Sequence, residues 1–200
     1  KPTLHVYGII HNTRGLQGEA TSHVSTLIKQ LHTDGVKRLG IEGFEPTDRN
    51  NSAERWGIAV KKRAEKAGIE LVYLEKKPEH KAMSILNELL FYLVGLNNQG
   101  EHPVAAWNYV YGQVAQTAAE KPESTNLIVF ELMNHIGRAL EKTPGREKSI
   151  IDALSLGIIV HRTHAMIENA RKEKLEHLAC GGFHANDAKH IPGVSVKMIS

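Results

Sequence analysis

Short apolar runs alternate with amphipathic stretches in the first part of the chain. Residues 4–10 form a continuous run of apolar and β-branched side chains, which is typical of a strand covered on both faces. Apolar positions then recur at helical spacing over residues 19–32, and Gly35 ends this predicted helix. The alternation continues as a strand, a helix and a strand at residues 36–41, 51–66 and 69–74. This order predicts right-handed βαβ units in a parallel sheet.

Nearly half of the chain, residues 79–176, lacks strand-like runs. Helical patterns fill it at residues 81–97, 104–118, 124–141 and 147–174. Two further strands are predicted at residues 177–181 and 194–199, with a helical turn near 186–190 between them. We therefore predict an α/β fold in which a mostly parallel sheet of about five strands carries a large helical insertion before its last two strands. The expected organisation is a single α/β domain, residues 1–200, with the insertion flanking or capping the crevice of the sheet. Residues from about 79 to 145 are expected to set substrate choice.

Composition excludes several classes of protein. With 200 residues, 41% of them apolar and 24% charged, the chain has the composition of an ordinary globular protein with a substantial core. The longest apolar run, residues 89–96, is too short to span a membrane, so no membrane span is expected. The net charge is only +3, with acidic and basic residues interspersed, which gives no reason to expect nucleic acid as a partner. The oligomeric state is not indicated by the sequence.

The chain contains a single cysteine, Cys180, in a predicted strand. One cysteine excludes an intramolecular disulfide and a cysteine-rich zinc module. The favoured interpretation of Cys180 is a small buried hydrophobic residue, and a nucleophile or metal ligand is the alternative. This cysteine usage favours the cytoplasm. Because the chain begins with Lys1 rather than Met, export after removal of a signal segment is the alternative expectation.

The tetrapeptide pattern Gly-x-x-His occurs at the end of two strand-like runs. The first copy runs from Gly8 to His11 and the second from Gly181 to His184. Side chains that leave the carboxyl ends of parallel strands meet in one crevice, so we expect the two histidines to lie side by side. Two converging imidazoles suit a metal site or an acid–base pair.

An acidic residue, Glu42, ends the second predicted strand, and Glu45 follows three residues later. Together, His11, Glu42 and His184 match the ligands of a metallohydrolase that keeps one coordination position open for water. Without a metal, the same three side chains could serve as general base and acid. The alternatives are a helix anchor or local salt bridge for Glu42, and structural roles for the two histidines.

A lone arginine, Arg162, interrupts an apolar part of the last long predicted helix. It shares a helical face with Met166 and Asn169. An arginine in such a position either extends into solvent or points at an anion or carboxylate. We expect Arg162 to reach the crevice and to contact Glu42 or Glu45.

Taken in order, these features resemble the TraB/TIKI superfamily, which also includes the erythromycin-esterase-like and ChaN-like families. The features are the first Gly-x-x-His, an acidic residue after the second strand, an Arg-x-x-x-Met helix and a strand that closes in the second Gly-x-x-His. The resemblance implies an α/β core with a helical insertion. It also implies the site residues His11, Glu42, Arg162 and His184. Some members of the superfamily are regarded as divalent-metal-dependent proteases and others as esterases, and some ChaN-like members bind haem.

The leading hypothesis is a hydrolase, dependent on a divalent ion such as Mn²⁺, Co²⁺ or Zn²⁺, that cleaves a peptide or a small-molecule ester. In this hypothesis His11, Glu42 and His184 bind the metal and activate water between them, while Arg162 orients the acidic residue or stabilises the developing oxyanion. Two alternatives belong to other classes. One is a ChaN-like protein that binds haem or another ligand through an imidazole, and the other is a catalytically silent structural or signalling domain.

Overall fold

The computed structural model describes residues 3–9, 17–47, 52–98, 103–142 and 144–199. The elements in these ranges follow in the order β1 (Leu4–Ile9), α1 (Gln17–Thr33), β2 (Arg38–Ile41), α2 (Ser52–Lys66), β3 (Glu70–Tyr73), α3 (Lys77–Asn98), α4 (Pro103–Glu120), α5 (Ser124–Glu141), α6 (Glu147–Lys172), β4 (His177–Gly181), α7 (Gly182–Ala188) and β5 (Val194–Ile199). The predicted α/β fold with a large helical insertion before the last two strands is confirmed.

The five strands form one parallel sheet in the spatial order β3-β2-β4-β1-β5. Strand β4 follows the helical insertion in the chain, yet it pairs with both β1 and β2. His177 is the register partner of His5, and Leu178 is the register partner of Gly40. The end of β4 therefore lies beside the ends of β1 and β2, and residues that follow these strands share one edge of the sheet.

Helices cover both faces of this sheet, which explains why its strands are continuously apolar. One face packs against α1 and α2 through a buried cluster that includes Leu27, Leu31, Leu39, Ile41 and Val60. The other face packs against α7 and the second half of α6 through a cluster that includes Val6, Met166, Leu178, Cys180 and Ala185. Cys180 is a buried free thiol, as expected.

The chain divides into two compact units. The first comprises Lys1–Lys76 and Ile159–Ser200 and contains the sheet, while the second comprises Lys77–Ile158 and is helical. The second unit has a hydrophobic core of its own, formed by α3, α4, α5 and the first part of α6. Its buried members include Leu90, Leu93, Trp107, Met133 and Ile151.

One element differs from the sequence prediction. A helical turn was expected near residues 186–190, but helix α7 begins at Gly182, directly after β4. Gly181 caps this helix in an extended conformation, with φ −62° and ψ 153°. The second Gly-x-x-His therefore ends in the first turn of a helix. Gly182, the first residue of the helix, disfavours a helix locally, and burial of Ala185 and Ala188 against the sheet outweighs that preference.

Within the described part of the chain, one helical segment, Lys148–Lys172, is long and apolar enough to cross a membrane. Of its most apolar window, 33% is buried inside the protein. Core helices of water-soluble proteins pass the same test of length and composition, so this segment is only weak support for a membrane span.

Candidate functional site

Three of the predicted site residues come together in the first unit, at the carboxyl edge of the sheet. Glu42 directly follows β2, His184 lies in the first turn of α7 after β4, and Arg162 lies on α6. Side-chain contacts between Glu42 and each of the other two join these elements. His11, the fourth predicted residue, lies outside the described residues.

The carboxylate of Glu42 is held from three elements. Its Oε2 accepts a hydrogen bond of 2.6 Å from the backbone N–H of Gly181 at the end of β4. Its Oε1 accepts a hydrogen bond of 3.0 Å from Nη2 of Arg162. Nε2 of His184 lies 3.4 Å from the same Oε1. The expected contact between Arg162 and Glu42 is therefore present.

These partners determine the protonation state of Glu42. Burial by itself would raise the pKa of the Glu42 carboxyl, because it disfavours the charged form. The hydrogen bond and charge of His184, the charge of Arg162 and the Gly181 N–H together outweigh burial and hold the pKa of Glu42 far below its usual range. Glu42 is therefore an ionised carboxylate at physiological pH.

A second carboxylate, Glu75, also belongs to the site, although it is not part of the motifs that pointed to Glu42, Arg162 and His184. Nε and Nη2 of Arg162 donate to Oε1 and Oε2 of Glu75 at 2.9 and 3.0 Å, which is a bidentate pair. The backbone N–H of Gly43 donates to Oε2 of Glu75 at 2.9 Å. A signal was available in the sequence, because Glu75 follows the third strand much as Glu42 follows the second.

Glu45, the other carboxylate considered for Arg162, lies at the protein surface and is 58% exposed. It forms an ion pair with Lys61 of α2. Of the two carboxylates expected to receive Arg162, Glu42 is thus the one placed beside it, and Glu75 takes the second position.

His184 is almost completely buried, with 7% of its side chain exposed. Its Nδ1 lies 2.8 Å from Oγ1 of Thr163, one residue after Arg162 on α6. The same hydroxyl lies 2.8 Å from the backbone oxygen of Ile159. The imidazole is therefore held on one side by a buried threonine and faces Glu42 on the other.

The second half of α6 presents one face to the sheet, as the spacing of its residues predicted. Met166 is fully buried, and Nδ2 of Asn169 donates to the backbone oxygen of Leu74 at 2.9 Å. His161 and His164, on a neighbouring face of the helix, are exposed.

The thiol of Cys180 is unsuited to nucleophilic chemistry. Burial raises its pKa, and the negative charges of Glu42 and Glu75 raise it further. The thiol therefore stays protonated, in agreement with its interpretation as a small core residue.

A divalent ion would find two donors among the described side chains. Nε2 of His184 and Oε1 of Glu42 are 3.4 Å apart. Two ligands at ~2.0–2.1 Å from a tetrahedral ion are separated by ~3.3–3.4 Å, so this spacing fits two corners of such a site. The described residues contain no group of three or more His, Cys, Asp and Glu side chains that could hold a metal. A complete metal site therefore needs a ligand from outside them.

Comparisons of the chain with models of known families, with curated proteins and with solved structures find no match. The interpretation of the site therefore rests on its own geometry and on the sequence motifs that form it.

Proposed function

We propose that the protein is a hydrolase that cleaves a peptide or ester bond with water activated beside His184 and Glu42. The observation that carries the proposal is the 3.4 Å approach of Nε2 of His184 to an ionised, partly buried carboxylate at the carboxyl edge of a parallel sheet. This edge is where α/β proteins bind their ligands. An imidazole beside a fixed negative charge is suited to accept a proton from water.

The proposed metal ligands are His184, Glu42 and His11. The first two have the spacing of neighbouring ligands, and His11 belongs to the Gly-x-x-His that begins in β1, the strand next to β4. A divalent ion bound there would lower the pKa of its water to about 7 and so supply hydroxide at neutral pH.

Arg162 acts in this proposal by orienting Glu42. Its Nε and Nη2 are engaged by Glu75 and Glu42, and its side chain is 13% exposed. An arginine fixed between two carboxylates is poorly placed to reach a developing oxyanion, so orientation of the acidic residue is favoured over oxyanion stabilisation.

The order of the site residues along the chain supports the same proposal. The arrangement agrees with the resemblance to the TraB/TIKI superfamily, whose members include metal-dependent proteases and esterases. We therefore propose membership of that superfamily together with the hydrolase activity, and a peptide or small ester as the substrate.

Hydrolysis of a panel of p-nitrophenyl esters and of mixed peptide libraries, followed by absorbance and mass spectrometry, tests the proposal. We expect turnover by the wild type and a loss of about 10²–10⁴-fold in His184→Ala and Glu42→Gln, the range that a positioned general base contributes. His190→Ala, which removes an exposed histidine shortly after α7, is the matched control and should keep full activity. Full activity in both His184→Ala and Glu42→Gln would refute the site.

Treatment with a chelator tests the role of a metal ion separately from the roles of His184 and Glu42. We expect EDTA to abolish turnover and Mn²⁺, Co²⁺ or Zn²⁺ to restore it in the wild type but not in His11→Ala. An active wild type that chelators do not affect would refute the metal and leave His184 and Glu42 as a metal-free acid–base pair.

A further inference from the structure

We infer that Phe183 and Met198 form an apolar subsite beside His184, which takes an apolar side chain or acyl chain of the substrate. The role of this subsite in catalysis rests on the proposed function, and it narrows the substrate to peptides or esters with an apolar group next to the bond that is cleaved. Binding of an apolar group to the subsite can be measured without any turnover.

Phe183 is the most exposed large apolar side chain in the described part of the chain, with 78% of its surface open to solvent. It lies in the first turn of α7, directly before His184. The Cα–Cβ bonds of a helix tilt toward its N-terminus, so a side chain in the first turn of α7 is directed toward the carboxyl edge of the sheet, where this helix begins. Phe183 thus presents an aromatic ring at the edge that also carries Glu42.

Met198 brings a second apolar side chain to the same place. It is the next-to-last residue of β5 and the register partner of Gly8. A Cβ on Gly8 would lie 2.5 Å from Sδ of Met198, and a Cβ on Gly182 would lie 3.3 Å from its Cε. The methyl group of Met198 therefore lies against the residue that precedes Phe183, and Met198 is still 38% exposed.

The surroundings of these two side chains indicate what covers them. Single apolar residues are ordinary on a protein surface, but ligand sites combine an apolar lining with a few polar groups that fix orientation. Glu42 and His184 supply the polar groups at this edge, while Phe183 and Met198 supply apolar surface. Because Phe183 and His184 are adjacent in the chain, an apolar group held by the subsite belongs to the molecule on which His184 acts. The flexible thioether of Met198 can adapt to apolar groups of different shape.

Spectra of protein labelled with ¹³C at the methionine methyl groups test the subsite without turnover. Hexanamide should shift the signal of Met198, assigned by its loss in Met198→Leu, at concentrations where acetamide does not. The signals of Met133 and Met166 should stay in place, because both side chains are fully buried. Phe183→Ser, at an exposed position, should fold normally and bind hexanamide about 10-fold more weakly. The matched control is Phe91→Ser in the second unit, where the phenylalanine is 52% exposed, and it should bind as the wild type does.

An equal response of Met198 to the two amides would overturn the inference. Undiminished binding of hexanamide by Phe183→Ser would also overturn it.

Hydrolysis of p-nitrophenyl hexanoate and p-nitrophenyl acetate tests the role in substrate choice. We expect the wild type to favour the hexanoate in kcat/KM, and we expect this preference to fall about 10-fold in Phe183→Ser, mainly through KM. If hexanamide binds as expected but no ester or peptide is hydrolysed, the hydrolase proposal fails and the apolar subsite stands. If the wild type and Phe183→Ser hydrolyse the esters with the same preference, the apolar subsite is wrong and the hydrolase proposal stands.

Discussion

At the scale of single residues, the site depends on an arginine held between two carboxylates. The side chains of Arg162 and Glu75 are 13% and 11% exposed, so water screens this pair far less than it screens a surface ion pair. Burial alone would lower the pKa of Arg162, but Glu75 and Glu42 raise it, and the guanidinium stays charged. Removing either partner would leave a charge with too few hydrogen bonds in a poorly solvated position.

Glu75→Ala is therefore expected to destabilise the protein by about 1.5–3 kcal/mol, because it removes charge-assisted hydrogen bonds from a largely buried arginine that keeps Glu42 as a partner. Urea unfolding followed by circular dichroism measures this loss in the free energy of unfolding. Glu70→Ala is the matched control, since Glu70 also pairs with an arginine, Arg38, but is 64% exposed. We expect a loss of about 1 kcal/mol or less there. Equal losses in the two variants would contradict the importance assigned to burial.

A second group of residues lies at the opposite end of the strands. The rings of His5 and His177, which are register partners on β1 and β4, stack with centroids 5.4 Å apart. The hydroxyl of Tyr7 lies 3.0 Å from Nδ1 of His177. Burial and the neighbouring His5 lower the pKa of His177, while Glu176 and Asp34 act in the opposite direction.

The lowered pKa of His177 predicts a dependence of stability on pH. The folded state favours the neutral imidazole, so this contribution to stability is present above the ordinary histidine pKa of about 6.5 and is lost as the pH falls from there through the folded value. NMR titration should show a pKa of His177 below 6.5. His5→Gln should raise that pKa, and His135→Gln, at an exposed position on α5, should not. An unchanged pKa in His5→Gln would exclude the contribution of His5.

At the scale of elements, the close packing of α7 on β1 positions His184. A Cβ on Gly8 would lie 2.5 Å from Cβ of Ala185 and 2.5 Å from Sδ of Met198. The first Gly-x-x-His thus begins with a glycine because the helix that carries the second histidine lies against that point of the strand. The two motifs are connected by packing at Gly8 and Ala185.

Gly8→Ala should destabilise the protein by about 1–3 kcal/mol through overpacking and should displace α7. Thermal unfolding measures the loss, and chemical shifts of His184 report the displacement. Adding Ala185→Gly should restore much of the lost stability and of the position of α7, because it removes the Cβ of Ala185. The other atoms that a Cβ on Gly8 would meet belong to the flexible side chain of Met198. The control is Gly112→Ala on α4, where a Cβ would meet no described atom within 4 Å. There we expect stabilisation of about 0.5–1 kcal/mol. A Gly8→Ala protein as stable as the wild type would contradict the tight packing.

At the scale of the whole molecule, the two units have separate hydrophobic cores. The segment Lys77–Ile158, expressed alone, is therefore expected to be helical and to unfold cooperatively by circular dichroism. Leu90→Ala, at a fully buried position, should destabilise this fragment by about 2–5 kcal/mol. A fragment that is unfolded, or that unfolds without cooperativity, would show that this core is not sufficient to fold the segment on its own. The role of residues 79–145 in substrate choice stays a prediction.

The sequence by itself determined the fold class and the element order, because these follow from local periodicity. The unbroken apolar runs indicated strands covered on both faces, and the helical spacing of residues 79–176 indicated the insertion. Glu42, Arg162 and His184 were identified because each interrupts an apolar pattern or follows a strand.

The tertiary structure decided what local pattern does not encode. The placement of β4 between β1 and β2 brings the residues after it beside Glu42, and strand order depends on contacts between segments far apart in the chain. Thr163 has ordinary local surroundings, and Glu75, although it follows a strand, meets Arg162 only when α6 packs against the sheet. Helix α7 forms against its local preference because burial on β1 stabilises it. Sequence therefore determined which residues lie at strand ends and on helix faces, and long-range packing decided which of them meet.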